Sequence, residues 1–296
     1  MDDDFAEFRP RLFALAYQLL GEVAEAEDAV QDAYLRWHAA EEIVSPRAWL
    51  TKVVTNLCLN RLTSARARRE RYVGPWFPEP VVTGGTGGPL DAVEQRESVS
   101  AGVLLLLERL SPAERAVFVL REAFGYTHRE IGELMDVSEA HSRQLHRRAR
   151  SRIGEDRRRF EVDPKHQRVI VERFLAAVRH GDLQGLHDLL ADDVVAWSDG
   201  GGKAFAARRP VVGRDRLVRA VFRVVAKAAG GELGTAEING APALVAYRDG
   251  VLWAVVTFEV EGDRITALRT ILNPEKLRFA ARQLSHSGPA IRSEDA

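Results

Sequence analysis

Eight arginines stand between residues 143 and 159, against only Glu155 and Asp156. A guanidinium fork can meet a guanine edge or a phosphate through two parallel hydrogen bonds. The stretch that leads into them, "GYTHREIGELMDVSEAHSRQLHRRARSRI" (125–153), has the spacing of a helix-turn-helix. Thr127 caps one short amphipathic run, Asp136 and Val137 make the turn, and Ser138 caps the next helix. Ile131, Leu134 and Val137 are expected to pack the two helices together. Residues near the start of the second helix reach base edges in such a device: Glu139, Ala140, His141, Arg143 and Gln144. Arg143 suits guanine and Gln144 adenine. Arg147, Arg148 and Arg150 lie further along and suit phosphates, which supply affinity without sequence information.

A second basic run holds Arg61, Arg66, Arg68, Arg69 and Arg71 against Glu70. It ends a helix expected over 46–72. Steps of three and four place Trp49, Lys52, Asn56 and Asn60 on one face, followed by Arg61. Aromatic, amide and cationic groups together suit a splayed single strand, although Trp49 would serve equally as a core residue. Just upstream, Glu22 to Glu42 holds seven acids against Arg36. The net charge of −1 therefore hides segregated fields, and a neutral sum does not exclude nucleic acid.

The elements that carry these groups follow from periodicity. Phe5, Phe8, Leu12, Leu15 and Leu19 give one apolar face, closed by Gly21. Val30, Ala33, Tyr34 and Trp37 give the next, and Trp49, Leu50, Val53, Leu57 and Leu62 a third, opened by Ser45-Pro46. "GPWFPEPVVTGGTGGPLD" (74–91) is too rich in Pro and Gly for a helix. It reads as a linker whose Trp76 and Phe77 either anchor it locally or dock on another surface of the chain. Ser111-Pro112-Ala113-Glu114 opens another helix with a capping box. After "VDPK" (162–165) come helical patterns at 165–180, 182–191 and 214–229. With them come strand-like runs "VVAWSD", "ALVAYRD", "VLWAVVTFEVEG" and "RITALRTIL", an α+β unit with a curved antiparallel sheet.

The 296 residues contain one cysteine, Cys58, which excludes an internal disulfide framework and reads as a small buried apolar residue. No apolar run approaches the roughly 20 residues of a membrane span. The acidic start is neither a signal nor a transit peptide, so a cytoplasmic setting without a membrane is expected. The eight histidines show no metal spacing, and no metal or cofactor is expected.

Two quoted blocks resemble a known family. "AEDAVQDAYLRWHAAEEIVSPRAWLTKVVTNLCLNRLTSARARRE" resembles the second domain, and "LERLSPAERAVFVLREAFGYTHREIGELMDVSEAHSRQLHRRARSRI" the fourth, of bacterial extracytoplasmic-function (ECF) sigma factors. The resemblance implies that Asp28, Gln31, Asp32 and Leu35 dock on the β′ subunit of core RNA polymerase, with β also a partner. It implies that the third helix holds the −10 element, with Asn56 and Asn60 among its contacts, and that 138–150 reads the −35 element of promoter DNA. The resemblance covers about half of the chain. Many relatives carry a β-branched residue where Ser142 stands.

"PWFPEP" (75–80), "DGGGK" (199–203) and "NPEKL" (273–277) are similar to marks of the ECF subgroup with a fused SnoaL-like C-terminal extension. That extension has the cone-shaped α+β fold of polyketide cyclases and nuclear-transport-factor-like (NTF2-like) proteins. The implied fold class is multidomain: two all-α sigma domains, the second with the helix-turn-helix, then a SnoaL/NTF2-like domain. The expected limits are 1–73, a linker 74–94, 95–160, a regulatory domain 165–279, and a disordered tail 280–296. Contacts between Trp76, Phe77, Pro78, Glu79 and Pro80 of the linker and Asp199, Gly200, Gly201, Gly202, Lys203, Asn273 and Pro274 are expected to regulate the sigma domains. "DGGGK" fails as a P-loop, because position 197 is not glycine and Ala204 replaces Ser or Thr; a loose hairpin turn is its other reading. On that docking reading, Asp199→Ala or Lys203→Ala would alter transcription with stability nearly unaltered. Related cyclases use a buried acid or His. The candidates here, Asp192, Asp193, Asp199 and His187, do not by themselves license catalysis, and the chain is read as a non-enzyme. A small-molecule effector in the third domain stays open, as do a stand-alone DNA-binding regulator and a DNA-binding module fused to an enzyme.

Overall fold

The computed structural model describes residues 2–83, 101–154, 163–227 and 231–286. The expected linker from 84 onward, the domain limits at 95 and 160, Arg157, Arg158 and Arg159, and residues 287–296 of the expected tail lie outside the described residues. The chain divides into two compact units. Among the described residues, the first holds 2–71 and 103–154; the second holds 72–83, 101–102, 163–227 and 231–286.

Three helices open the first unit: α1 (Asp2–Leu20), α2 (Val23–Ala39) and α3 (Pro46–Glu70). Phe5, Leu12, Leu15 and Leu19 are buried, as the 3.6-residue period requires. Gly21, at φ +71°, donates its N–H to the Tyr17 carbonyl at 2.7 Å and ends α1. On α3 the buried stripe is Leu50, Val54, Leu57, Cys58 and Leu62. Trp49 and Val53, expected in the core, are instead half-buried. Burial pushes the Cys58 thiol up to about 12, which makes it chemically inert at neutral pH.

From Val103 the same unit continues with the rest of α4 (Ala101–Leu107), then α5 (Pro112–Glu122), α6 (His128–Met135) and α7 (Glu139–Ile153). Capping boxes at Ser111/Glu114 and Thr127/Glu130 begin α5 and α6, and the Ser138 side chain accepts from the His141 N–H to begin α7. Each was legible as a Ser or Thr set before an apolar period.

In the second unit α8 (Pro164–His180) and α9 (Leu183–Leu189) precede β1 (Leu190–Asp199). Then follow β2 (Val211–Val212), α10 (Arg214–Lys227), β3 (Glu232–Ile238), β4 (Ala241–Arg248), β5 (Val251–Glu261), β6 (Arg264–Ile271) and α11 (Pro274–His286). The strand order is β2-β1-β6-β5-β4-β3. The sheet is mixed rather than wholly antiparallel, because β1 pairs parallel to β6. Register shifts in β1/β6, β4/β5 and β5/β6 bend it, as bulges do. Phe174, Leu186, Leu217, Phe258 and Leu268 join α8, α9 and α10 to one core. The expected tail is corrected: α11 continues to His286, with Leu277 and Ala280 buried on the fold.

Candidate functional site

The helix-turn-helix is set by the turn before α7. Asp136 takes the left-handed conformation at φ 55°, and the Val137 N–H donates to the Gly132 carbonyl at 3.0 Å. Ile131 and Leu134 are buried beneath it. Glu139, Ala140, His141, Arg143, Gln144, Arg147 and Arg148 are all exposed. Ser138, Ala140, His141, Arg143, Gln144 and Arg147 line one open concavity on the outer face of α7. Arg143 is ion-paired one turn back with Glu139, an exposed link that a base edge or phosphate can replace at little cost.

The inner face of α7 buries Leu145, Ala149 and Ile153 together with one polar residue, Ser142. Ser142 is fully buried, and its hydroxyl meets His128 Nδ1 of α6 at 3.0 Å. His146 Nε2 meets Glu122 of α5 at 2.9 Å, and the two imidazoles lie 5.3 Å apart. Desolvation, then the His146, Arg121 and Arg143 charges, push the His128 pKa below its ordinary value. A histidine depressed on folding binds its proton better when unfolded. Its neutral form costs nothing above the unfolded pKa of about 6.5, and stability falls as pH drops below that value. Protection factors of the α6 and α7 amides, corrected for the intrinsic exchange rate, should therefore fall between pH 7.5 and 5.5, and His128→Gln should flatten that slope. An identical slope in the variant would remove His128 from the account.

On α3, Trp49, Lys52, Asn56 and Asn60 reach the surface to differing degrees, while Leu50, Val54 and Cys58 turn inward. Trp49 meets Trp37 edge-on at 6.2 Å. Two expected contacts are already committed inside the protein. Lys52 Nζ bonds the Asp136 carboxylate at 2.6 Å and the Glu133 carbonyl at 3.2 Å. Arg61 bonds Glu25 at 3.1 Å and Asp32 at 2.7 Å, and lies 3.8 Å from Asp28. Arg61 thus ties α3 to the acidic helix α2. Asp28, Gln31 and Leu35 remain exposed there, Leu35 at 57%.

The linker is seated within the second unit. Asp199 is fully buried; its Oδ1 accepts from the Tyr72 hydroxyl at 2.5 Å. Its Oδ2 accepts from the Phe77 N–H at 3.0 Å and from Lys276 Nζ at 2.7 Å. That ammonium also donates to the Phe77 carbonyl and lies 4.7 and 4.5 Å from the Tyr72 and Trp76 ring centroids. Asn273 Nδ2 donates to the Tyr72 hydroxyl at 2.9 Å. Gly201, at φ +56°, leaves room for this cluster, because a Cβ there would lie 2.6 Å from that hydroxyl. Further on, Thr83 N–H donates to Glu237 O at 2.9 Å and Asn239 N–H to Val81 O at 2.8 Å, so the linker adds to the β3 edge as a short antiparallel pairing. Gln283 of α11 takes the Val82 N–H at 2.8 Å.

Pro75, Pro78 and Pro80 have no N–H to satisfy, which eases the burial of this segment. Phe77, Pro78 and Pro80 are buried, Trp76 and Glu79 half-buried; Gly200 is buried, and Gly202 and Pro274 are exposed. Lys203 corrects the sequence reading, for it pairs with Glu275. The cation that meets the linker is Lys276, which the sequence reading did not single out. A signal was present: Lys276 falls beside Leu277 and Ala280 on the apolar stripe of α11, where an unpaired lysine would be costly. Tyr72, Asn239 and Gln283 carried no such signal.

The acid and base candidates of the third domain do not converge. Asp192 pairs with Arg214 at 2.5 Å, His187 lies 3.4 Å from Asp215, and Asp199 is held by Lys276. Asp193 is exposed. No described helix is long and apolar enough to cross a membrane.

Residues 5–68 match the family model Sigma-70 region 2, and residues 101–153 match Sigma-70, region 4. The chain is 39% identical over 289 residues to the ECF RNA polymerase sigma factor SigJ of Mycobacterium tuberculosis, covering 92% of each. It is 34% identical over 275 residues to the probable ECF RNA polymerase sigma factor SigI of the same species, covering 91% of this chain and 92% of that one. The crystal structure of M. tuberculosis SigJ superposes with a TM-score of 0.75 at 34% identity, over 94% of this chain and 99% of that one.

Proposed function

This chain belongs to the extracytoplasmic-function RNA polymerase sigma factors, and from that premise we propose how its parts divide the work of transcription initiation. The exposed α2 face of Asp28, Gln31 and Leu35, with Asp32 beside it, docks on core polymerase. Asn56 and Asn60 of α3, with Trp49, Lys52 and Arg61, engage the −10 strand. Glu139, Ala140, His141, Arg143 and Gln144 read the −35 duplex, and Arg147 and Arg148 hold its phosphates. The observation that carries this reading is the exposure of every α7 candidate on one face, behind a capped turn that fixes the helix.

We also propose that the third domain modulates these activities in cis. Residues 72–83 leave α3 directly and are bound through side chain and backbone by the second unit. Release or retention of that segment changes the tether between the two DNA-reading helices.

Core polymerase capture and in-vitro transcription with the full chain test the division. Asp28→Ala with Leu35→Ala should weaken capture at least tenfold, since each truncation of an anchor costs about 1 kcal/mol or more. Arg143→Ala should cost about 1–3 kcal/mol in duplex affinity and relax specificity at one position. Sequence-specific duplex binding without any capture of core polymerase would favour a stand-alone regulator instead.

A further inference from the structure

Helix α10 turns a face of one sign to water. Leu217, Val218, Val221, Phe222 and Val225 hold it on the core of the second unit. At about 3.6 residues per turn, Arg216, Arg219 and Arg223 fall on the opposite side, and all three are exposed. Arg208 and Arg209, also exposed, lead into β2 at the edge of the sheet, and Gly213 joins β2 to α10. None of these arginines has an ion pair or a side-chain hydrogen bond among the described residues. Arg214 differs, for it turns inward to Asp192 at 2.5 Å. The one acid of the helix, Asp215, lies 3.4 Å from His187. A face that serves solubility alone mixes both signs; this one carries positive charge only.

The spacing selects the partner. From Arg216 to Arg223 the helix rises roughly 10 Å, at about 1.5 Å per residue. Over that length one strand of duplex DNA presents about three phosphates. A guanidinium meets a phosphate through two parallel hydrogen bonds. A single strand needs aromatic platforms, and the exposed face of α10 carries none. A membrane surface needs the apolar side of a helix, which here is packed into the core. An acidic protein surface needs an apolar anchor at its centre, and the arginines surround only Ala220. We propose that the third domain binds duplex DNA directly. Arg216, Arg219 and Arg223 meet the phosphates of one strand, and Arg208 and Arg209 meet phosphates beside them. This goes beyond the modulation proposed above, for the domain becomes a third DNA contact, one without sequence preference. Only the identity of its duplex as promoter DNA rests on the sigma-factor reading.

Fluorescence anisotropy of a labelled promoter duplex and of a scrambled duplex, titrated with the full chain over a range of salt, tests this. Arg216→Gln, Arg219→Gln and Arg223→Gln together keep helix propensity and remove the charge. This triple variant should bind both duplexes about tenfold or more weakly at low salt, by the same factor on each. Its slope of log affinity against log salt should be shallower by roughly two to three, at about 0.9 for each phosphate released. Arg208→Gln with Arg209→Gln, outside the helix, should flatten the slope by roughly one to two. Arg216→Lys, Arg219→Lys and Arg223→Lys together should keep the slope of the wild type, as a contact made by charge requires. Unchanged slopes in both Gln variants, at a wild-type unfolding midpoint, would overturn the proposal. So would a wild-type chain that binds neither duplex at low salt. Loss of core-polymerase capture with the slope intact would also overturn it and assign the face to an acidic protein surface. A wild-type chain that binds both duplexes equally counts against the −35 reading alone, and the slope difference still decides the α10 face.

Discussion

Asp199→Ala is expected to cost the second unit about 3–5 kcal/mol and to free the linker. That magnitude is typical of removing one partner from a buried ion pair. Asp199 is wholly buried and Lys276 is 5% exposed, so the remaining ammonium would lack a counter-charge in a site with little access to water. Tyr72 and the Phe77 N–H would lose their acceptor as well. The loss is a large fraction of the 5–15 kcal/mol that holds a typical domain together. This overturns the expectation, drawn from sequence, that Asp199→Ala would leave stability nearly unaltered. For Lys203→Ala little change in stability is expected, because the Lys203–Glu275 pair is half-exposed and water screens such a pair.

A double-mutant cycle separates the pair from its surroundings. Asp199→Asn and Lys276→Met should each destabilise, and together they should cost less than their sum by more than about 1 kcal/mol. Urea unfolding of the full chain reads the energies, and hydrogen exchange at Phe77 and residues 81–83 reads the linker. Additive energies with unchanged protection of those amides would show that the linker does not depend on this pair.

Much of the fold was legible because its signals are local. Thr127, Ser138 and Ser111 announce helices through their own hydroxyls, and the α7 candidates are exposed because Leu145, Ala149 and Ile153 take the opposite face. The linker seat was half legible. "WFPEP" and "DGGGK" mark two sides of a contact, but the choice between Lys203 and Lys276 is made by tertiary approach over 77 residues. On the α3 face Trp49, Lys52 and Asn56 are half-buried and Asn60 exposed, and the partners of this face were not legible. Lys52 meets Asp136 across 84 positions, a pairing that helical periodicity cannot encode. The parallel pairing of β1 with β6 was missed for the same reason, since a strand pattern carries no direction of its neighbour. The extension of α11 to His286 was missed because the polar end of a helix resembles a tail in composition.

The second large effect is expected at a glycine that the sequence passes over, Gly132. It lies inside α6, where glycine costs about 1 kcal/mol relative to alanine, so its presence calls for a packing reason. A Cβ at Gly132 would stand 2.7 Å from the Val137 carbonyl and 3.5 Å from the Glu139 N–H. Both are backbone atoms of the turn and of α7, and neither can swing aside as a side chain would. Gly132→Val should therefore push α7 off α6, with a loss of about 2–3 kcal/mol for an overpacked contact, and lower −35 duplex affinity more than tenfold. Capture of core polymerase through α2 should stay within twofold. Gly125 supplies the contrast. It sits at φ +71° with no atom within 4 Å of a built Cβ, so Gly125→Ala meets only the conformational cost of about 1 kcal/mol. Its duplex affinity should remain near wild type at a temperature where the fold is intact. Electrophoretic titration of the two variants on one −35 duplex distinguishes steric from conformational loss. Equal affinity for both would mean that the approach of α6 to the turn does not position the reading helix.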